Sequence, residues 1–104
     1  MVEARFGKAK LAELRNLFHG RKLNAIVVDD KVALLAPLTS KALGNYTRLV
    51  VDPESGIDVA ARALLNELWL AGDEEIREDE DYFISAMMEL QNIIELKKSS
   101  FTKL

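Results

Sequence analysis

The segment Ser55–Ala71 constrains this chain more than any other. Placed on a helix, Ile57, Ala60, Ala61, Ala63, Leu64, Leu65, Leu68 and Ala71 are apolar, and Val59, Trp69 and Leu70 widen that face. Polar residues keep to a narrow stripe of Asp58, Arg62 and Asn66, with Glu67 beside it. A helix that is apolar around most of its circumference has to be covered on more than one side. The sequence therefore predicts a central helix covered by a sheet and by another helix or a second subunit. Ser55 is placed to be its N-cap, with Asp58 completing a capping box. Asp58 and Arg62 are ordered for an i,i+4 ion pair. Gly72 follows the last apolar residue, where a left-handed residue ends a helix.

The elements before it follow from periodicity. Residues 1–6 alternate, with Val2, Ala4 and Phe6 against Glu3 and Arg5, as a short edge strand or the lead-in to a helix would. From Lys8 the period turns helical, with Leu11, Leu14, Leu17 and Phe18 on one face and Gly20 as the stop. Asn24–Val28 and Val32–Leu38 are apolar runs separated by Asp29-Asp30, which predicts a hairpin. Asp-Asp suits a tight turn less well than Asp-Gly, so Lys31 is expected to lengthen the loop. Both runs are continuous rather than alternating, the pattern of strands covered on both faces. Pro37 cannot donate to a ladder, so the second strand ends there or lies at an edge. Thr39–Asn45 reads as a turn or one short helical turn closed by Gly44, and Thr47–Val51 as a third strand.

After Gly72 comes an acidic run, Asp73-Glu74-Glu75-Ile76-Arg77-Glu78-Asp79-Glu80-Asp81. Tyr82–Lys98 is then helical, with Phe83, Ala86, Met87, Leu90, Ile93 and Ile94 on its main face. Its start is open between Asp73 and Asp79. Residues 99–104 read as a loose tail in which Phe101 and Leu104 have the chance to dock. The fold class expected is α+β: a small antiparallel sheet of about three strands with an N-terminal helix and two C-terminal helices packed on it, in a single domain over 1–104. Two wide apolar helices exceed what such a sheet covers. A homodimer seamed by Leu64, Leu68, Phe83, Met87 and Leu90 is therefore expected, with a monomer that sandwiches the central helix as the alternative.

Composition removes several function classes. With no cysteine among 104 residues, disulfides, thiolate nucleophiles and thiolate metal sites are excluded. No run approaches the roughly 18 apolar residues of a membrane span, and Met1–Lys10 lacks a signal-peptide core. A cytoplasmic location without membrane partners is expected on these grounds. His19 is the single histidine, and no serine lies in a nucleophile-elbow motif. No glycine-rich phosphate motif is present. Asp29, Asp30 and Asp52 are explained by turn chemistry better than by a catalytic pair. No catalytic residues, no metal ligands and no cofactor are assigned.

Charge is separated along the chain. Residues 1–22 carry six cations against Glu3 and Glu13, while 52–81 carry eleven carboxylates against Arg62 and Arg77. The basic end is a weak nucleic-acid footprint on a chain of net charge −3. The acidic run does not match a calcium loop, because the sixth and twelfth positions from Asp73 are Glu78 and Ile84. On an unbroken helix, Glu74/Glu78 and Glu75/Asp79 would repel unless a cation neutralised them. The function expected is a non-enzymatic interaction or regulatory module that pairs with itself and with an unidentified protein. Trp69, Glu75, Glu78, Asp79, Glu80, Asp81 and Tyr82 form the expected contact. A divalent-cation binder using the same acids, a small-ligand sensor and a DNA-binding regulator are the alternatives.

Overall fold

The computed structural model describes residues 2–102, and their side chains as far as residue 94. In chain order the elements are α1 (Val2–Phe6), α2 (Lys8–Leu17), β1 (Asn24–Val28), β2 (Lys31–Leu35), α3 (Ser40–Val51), α4 (Gly56–Leu68), β3 (Trp69–Gly72), α5 (Glu75–Glu78) and α6 (Glu80–Thr102). The fold is α+β, although the third strand of its sheet follows two helices rather than joining the first two in the chain. The sheet is antiparallel in the order β1-β2-β3.

The hairpin forms where the sequence places it, but its turn is tighter than expected. Val28 pairs with Lys31, so Asp29 and Asp30 alone make the connection, and Asp29 takes φ 55°. Asp tolerates that left-handed region better than most residues. Ile26, Ala33 and Gly72 lie in register on one face of the sheet. Val27 and Val32 occupy the other, with Ala25, Leu34 and Ala71. Only β2 is covered on both faces, with Val32, Ala33, Leu34 and Leu35 all buried, whereas Ala25 and Val27 of β1 are exposed.

Two elements differ from expectation, and they are linked. Thr47–Val51 is not a strand. It is the second half of α3, which starts at the N-cap Thr39, whose Oγ1 accepts from the Ala42 N–H at 3.1 Å. The β-branched residues there suggested a strand, but Ala42 and Tyr46 at i,i+4 are the buried positions, which is helical spacing. Thr47 Oγ1 donates back to the Leu43 carbonyl at 2.9 Å, the way a hydroxyl is absorbed inside a helix. The third strand comes instead from the end of the expected central helix. Helix α4 stops at Leu68, and Trp69–Gly72 pairs with β2 across an irregularity at Leu34/Leu35. Short apolar runs fit either state by pattern, and the unpaired edge of β2 decides between them.

Gly72 is therefore not a helix cap. Its φ is +142°, and a Cβ there would stand 2.7 Å from the Ala33 Cα and against the Val32 carbonyl oxygen. Only glycine lets β3 come this close to β2. The capping box is also replaced. The Ser55 hydroxyl donates to Asp52 Oδ2 at 3.3 Å, while Asp52 Oδ1 accepts the Glu54 N–H at 3.0 Å. Ser55 makes no side-chain cap to α4.

The main core lies on the Ile26/Ala33/Leu35 face. It gathers Ala42 and Tyr46 of α3, Ala60, Ala61, Leu64, Leu65 and Leu68 of α4, Ile76 of α5, and Phe83, Ala86, Leu90 and Ile94 of α6. Helix α4 packs most extensively on α3 and also touches α6. Its second cover is thus supplied within one chain, by the helix that the sequence presents as a strand. Leu11, Val32 and Leu34 are buried outside this cluster. Val32 and Leu34 need a cover on the opposite face. Helix α2 buries Leu11, and α1 is tied to the end of β3 through Arg5.

Helix α6 runs through Thr102, so Ser99 and Ser100 are helical rather than tail. Residues 103–104, and the docking expected of Phe101 and Leu104, lie outside the described residues and side chains.

Candidate functional face on the acidic segment

The acidic run leaves β3 at Gly72, makes the single turn of α5, and breaks at Asp79 before α6. The break matters electrostatically. It prevents one continuous helix that would stack like charges four residues apart.

The first three acids each meet a cation from another part of the fold or from α5 itself. Arg5 of α1 donates to Asp73 Oδ1 at 2.5 Å, and the Val32 N–H donates to Asp73 Oδ2 at 2.9 Å. The Asp73 N–H donates to the Val32 carbonyl at 2.9 Å, so Asp73 extends the β2–β3 ladder by one residue. Lys31 of β2 pairs with Glu75 at 2.8 Å. Arg77 pairs with Glu74 at 2.5 Å and donates to Asn66 Oδ1 at 3.3 Å. The Arg5 hydrogen bond, helped by the Val32 amide, holds the Asp73 carboxyl below its ordinary range. The hydrogen bond and charge of Lys31 do the same for Glu75, and Glu75 in turn raises Lys31.

Two stacked guanidinium groups finish this corner. Arg77 sits 4.0 Å over the Trp69 ring, and Arg62 sits 4.0 Å over the Phe83 ring. Arg62 also donates to the Arg77 carbonyl at 2.9 Å. It therefore serves α5 and α6, not the expected pair with Asp58. Such contacts join charge to aromatic surface and are strongest where water is partly excluded.

The rest of the run faces outward. Asp79 Oδ1 accepts from the N–H groups of Asp81 at 3.0 Å and Tyr82 at 3.3 Å, which makes Asp79 the N-cap of α6. Glu78, Glu80 and Asp81 are exposed, and among the described residues their carboxylates enter no hydrogen bond or ion pair. With 3.6 residues per turn, Glu80, Asp81, Ile84 and Met88 share one side of α6. Ile84 is 46% exposed and Met88 64% exposed.

The residues expected to bind a partner therefore separate. Glu78, Glu80 and Asp81 are available. Glu75 is paired, Asp79 is a cap, Trp69 lies half-buried beneath Arg77, and Tyr82 is half-buried. Of the residues expected at a dimer seam, Leu64, Leu68, Phe83 and Leu90 are buried in the chain's own core, and Met87 packs partly buried against it. Ile84 and Met88 are the large apolar side chains of α6 that reach solvent among the described residues. Their signal was present: they fall beside Asp81, off the Phe83/Ala86/Leu90 stripe.

Among the described residues, no three histidine, aspartate or glutamate side chains gather as a metal site would require. His19 is exposed at the end of α2 with φ 55°. No helix among the described residues is long and apolar enough to cross a membrane.

The fold and the site define a small α+β domain with an acidic, partly apolar helix face. No family model matches the chain, and neither curated proteins nor solved structures show a similar one.

Proposed function

We propose that the chain is a protein-interaction module whose contact face is the outer side of the first turns of α6. The observation that carries this reading is the division of the acids. Those at 73–75 are occupied by Arg5, Arg77 and Lys31, while Glu80 and Asp81 stand free on the same helix side as Ile84 and Met88. Acidic residues at a helix start are favoured by its dipole. Two large exposed apolar residues one turn further on have no such local reason. Together they match a partner segment of opposite design, a cationic amphipathic helix that offers Lys or Arg beside aliphatic side chains.

Crosslinking in native lysate, comparing wild type with a Glu80→Gln/Asp81→Asn variant and with Met88→Ala, tests this. Loss of the same partner from both variants is the expected result. An unchanged partner set would remove α6 as the contact. Self-association would have to use surface residues, because Leu64, Leu68, Phe83 and Leu90 of the expected seam are inside the core. Sedimentation at low and high salt reads that directly, since screening weakens exposed charge pairs.

A further inference from the structure

We propose that the open edge of β1 is a contact for a second copy of this chain, the two β1 strands pairing antiparallel about a two-fold axis at Ile26. This inference does not rest on the α6 contact.

The hydrogen bonds of the sheet fix which groups that edge presents. Val32 turns its backbone toward β3: its carbonyl accepts the Asp73 N–H, and its N–H donates to Asp73 Oδ2. Direction alternates along an antiparallel strand, so Lys31, Ala33 and Leu35 turn toward their partners Val28, Ile26 and Asn24 in β1. The N–H and C=O groups of Ala25 and Val27 therefore point away from the sheet. Among the described residues nothing bonds to them, and both residues are exposed.

Open edges are normally blunted by short length, charge, proline or a bulge. The opposite edge of this sheet is blunted. Strand β3 has 4 residues, its register with β2 shifts at Leu34/Leu35, and the chain then turns off into α5. Strand β1 carries none of these devices: Asn24–Val28 is uncharged, free of proline and in unbroken register with β2.

The charges at the two ends of β1 make its own copy the fitting occupant. Lys22 precedes the strand and Asp30 follows it. Both are exposed, and among the described residues neither enters an ion pair. One antiparallel register pairs Ala25 with the partner's Val27 and Val27 with the partner's Ala25, so that every outward backbone group of both strands is bonded. The same register sets Lys22 opposite the partner's Asp30, and Asp30 opposite the partner's Lys22. The two neighbouring registers that these hydrogen bonds allow break both charge pairs. The edge thus asks for an extended segment with a cation at one end and an anion at the other, run in reverse. β1 is such a segment, and the contact closes on itself as a two-fold interface does.

Sedimentation over a concentration series and disulfide capture, both on the full chain, test the proposal. Wild type should rise toward twice the monomer mass, and less so at high salt. Val27→Pro removes an outward N–H without touching the β1–β2 ladder and should abolish the dimer. Lys22 is exposed ahead of the strand, so Lys22→Glu leaves the fold intact while opposing like charges at both ends. It should weaken the dimer roughly two- to thirtyfold, the span of two exposed ion pairs, and Lys22→Glu with Asp30→Lys should restore it. The chain has no cysteine, so a mixture of Ala25→Cys and Val27→Cys chains reports the register. Their Cα atoms would stand about 5.5 Å apart, within disulfide reach, whereas either variant alone displaces its thiols along the strand beyond that reach. A disulfide in the mixture and in neither variant alone is expected. The Glu80→Gln/Asp81→Asn variant should keep the wild-type dimer, which separates this contact from the one on α6. A monomer at every concentration would overturn the proposal. So would a dimer indifferent to Lys22→Glu or to Val27→Pro, or disulfides formed as readily by either cysteine variant alone.

Discussion

Asp73, Glu74 and Glu75 are the same kinds of residue as Glu78, Glu80 and Asp81, in the same stretch of chain. Their fates differ because of what precedes each group. The first three follow a strand whose ladder ends at Asp73, so they emerge beside Lys31, Arg5 and the α5 arginine. The last three sit at the end of α5 and the start of α6, straddling the break at Asp79, and pair with none of those cations. A run of like charge is thus neither a solvated linker nor a binding patch as a whole. Its inward half closes the fold, and its outward half stays exposed.

The comparison breaks most severely at Gly72, which holds β3 against β2 and so delivers Asp73 to the Val32 amide. Gly72→Ala would force a Cβ onto the Val32 carbonyl at a φ that side chains rarely adopt. A loss of about 3 kcal/mol or more is expected from strain and overpacking together. Urea denaturation checks it. A loss below about 1 kcal/mol would mean that β3 can retreat without cost, and the inward half would not need this approach.

Arg77→Ala removes the Glu74 pair, the bond to Asn66 and the cover over Trp69 in one step. About 1–2 kcal/mol is expected, since a partly buried cation–π contact adds to a modest ion pair. Thermal denaturation should fall by several degrees. Trp69 fluorescence should shift to the red as water reaches the ring, which ties the loss to this corner. Asp79→Ala should cost about 1 kcal/mol through the lost N-cap. Its mark should be faster hydrogen exchange at Asp81 and Tyr82 only.

Acid separates the inward acids by sign. Asp73 and Glu75 have folded pKa values lowered by Arg5, the Val32 amide and Lys31. Their contribution is complete above the unfolded carboxylate pKa of about 4 and is lost as pH falls through the lower folded values. An Asp73→Asn variant should therefore show a shallower fall in stability below about pH 4 than wild type does. Equal slopes would mean that the Arg5–Asp73 pair contributes nothing in solution.

The parts that were legible in the sequence are those where local pattern and tertiary contact agree. The hairpin 24–35, the body of α4 and the main face of α6 carry their periods openly. Thr47–Val51 and Trp69–Gly72 misled because each is short, apolar and compatible with both helix and strand. What decided them was remote: the open edge of β2 and the place of Ala42 and Tyr46 against α4. Thr39 as N-cap was a readable sign of α3, but the exposed Gly44, which weakens a helix interior by about 1 kcal/mol relative to alanine, hid it. The split of the acidic run was not legible, because Arg5 and Lys31 are 68 and 44 residues away from their partners in the chain. Their pairing depends on the strand order, which no local signal carries.

The smallest effect is expected from the outward half, and its smallness is the point. Glu80→Gln with Asp81→Asn removes no hydrogen bond or ion pair, only the attraction of two carboxylates to the start of α6. A change within about 0.5 kcal/mol is expected, because exposed surface substitutions away from such contacts stay in that range. The same substitution is the one expected to abolish partner capture. Stability retained with binding lost assigns these acids to recognition. If instead the double change cost more than about 1 kcal/mol, the outward acids would be structural like Asp73, and the α6 face would have no residues held in reserve for a partner.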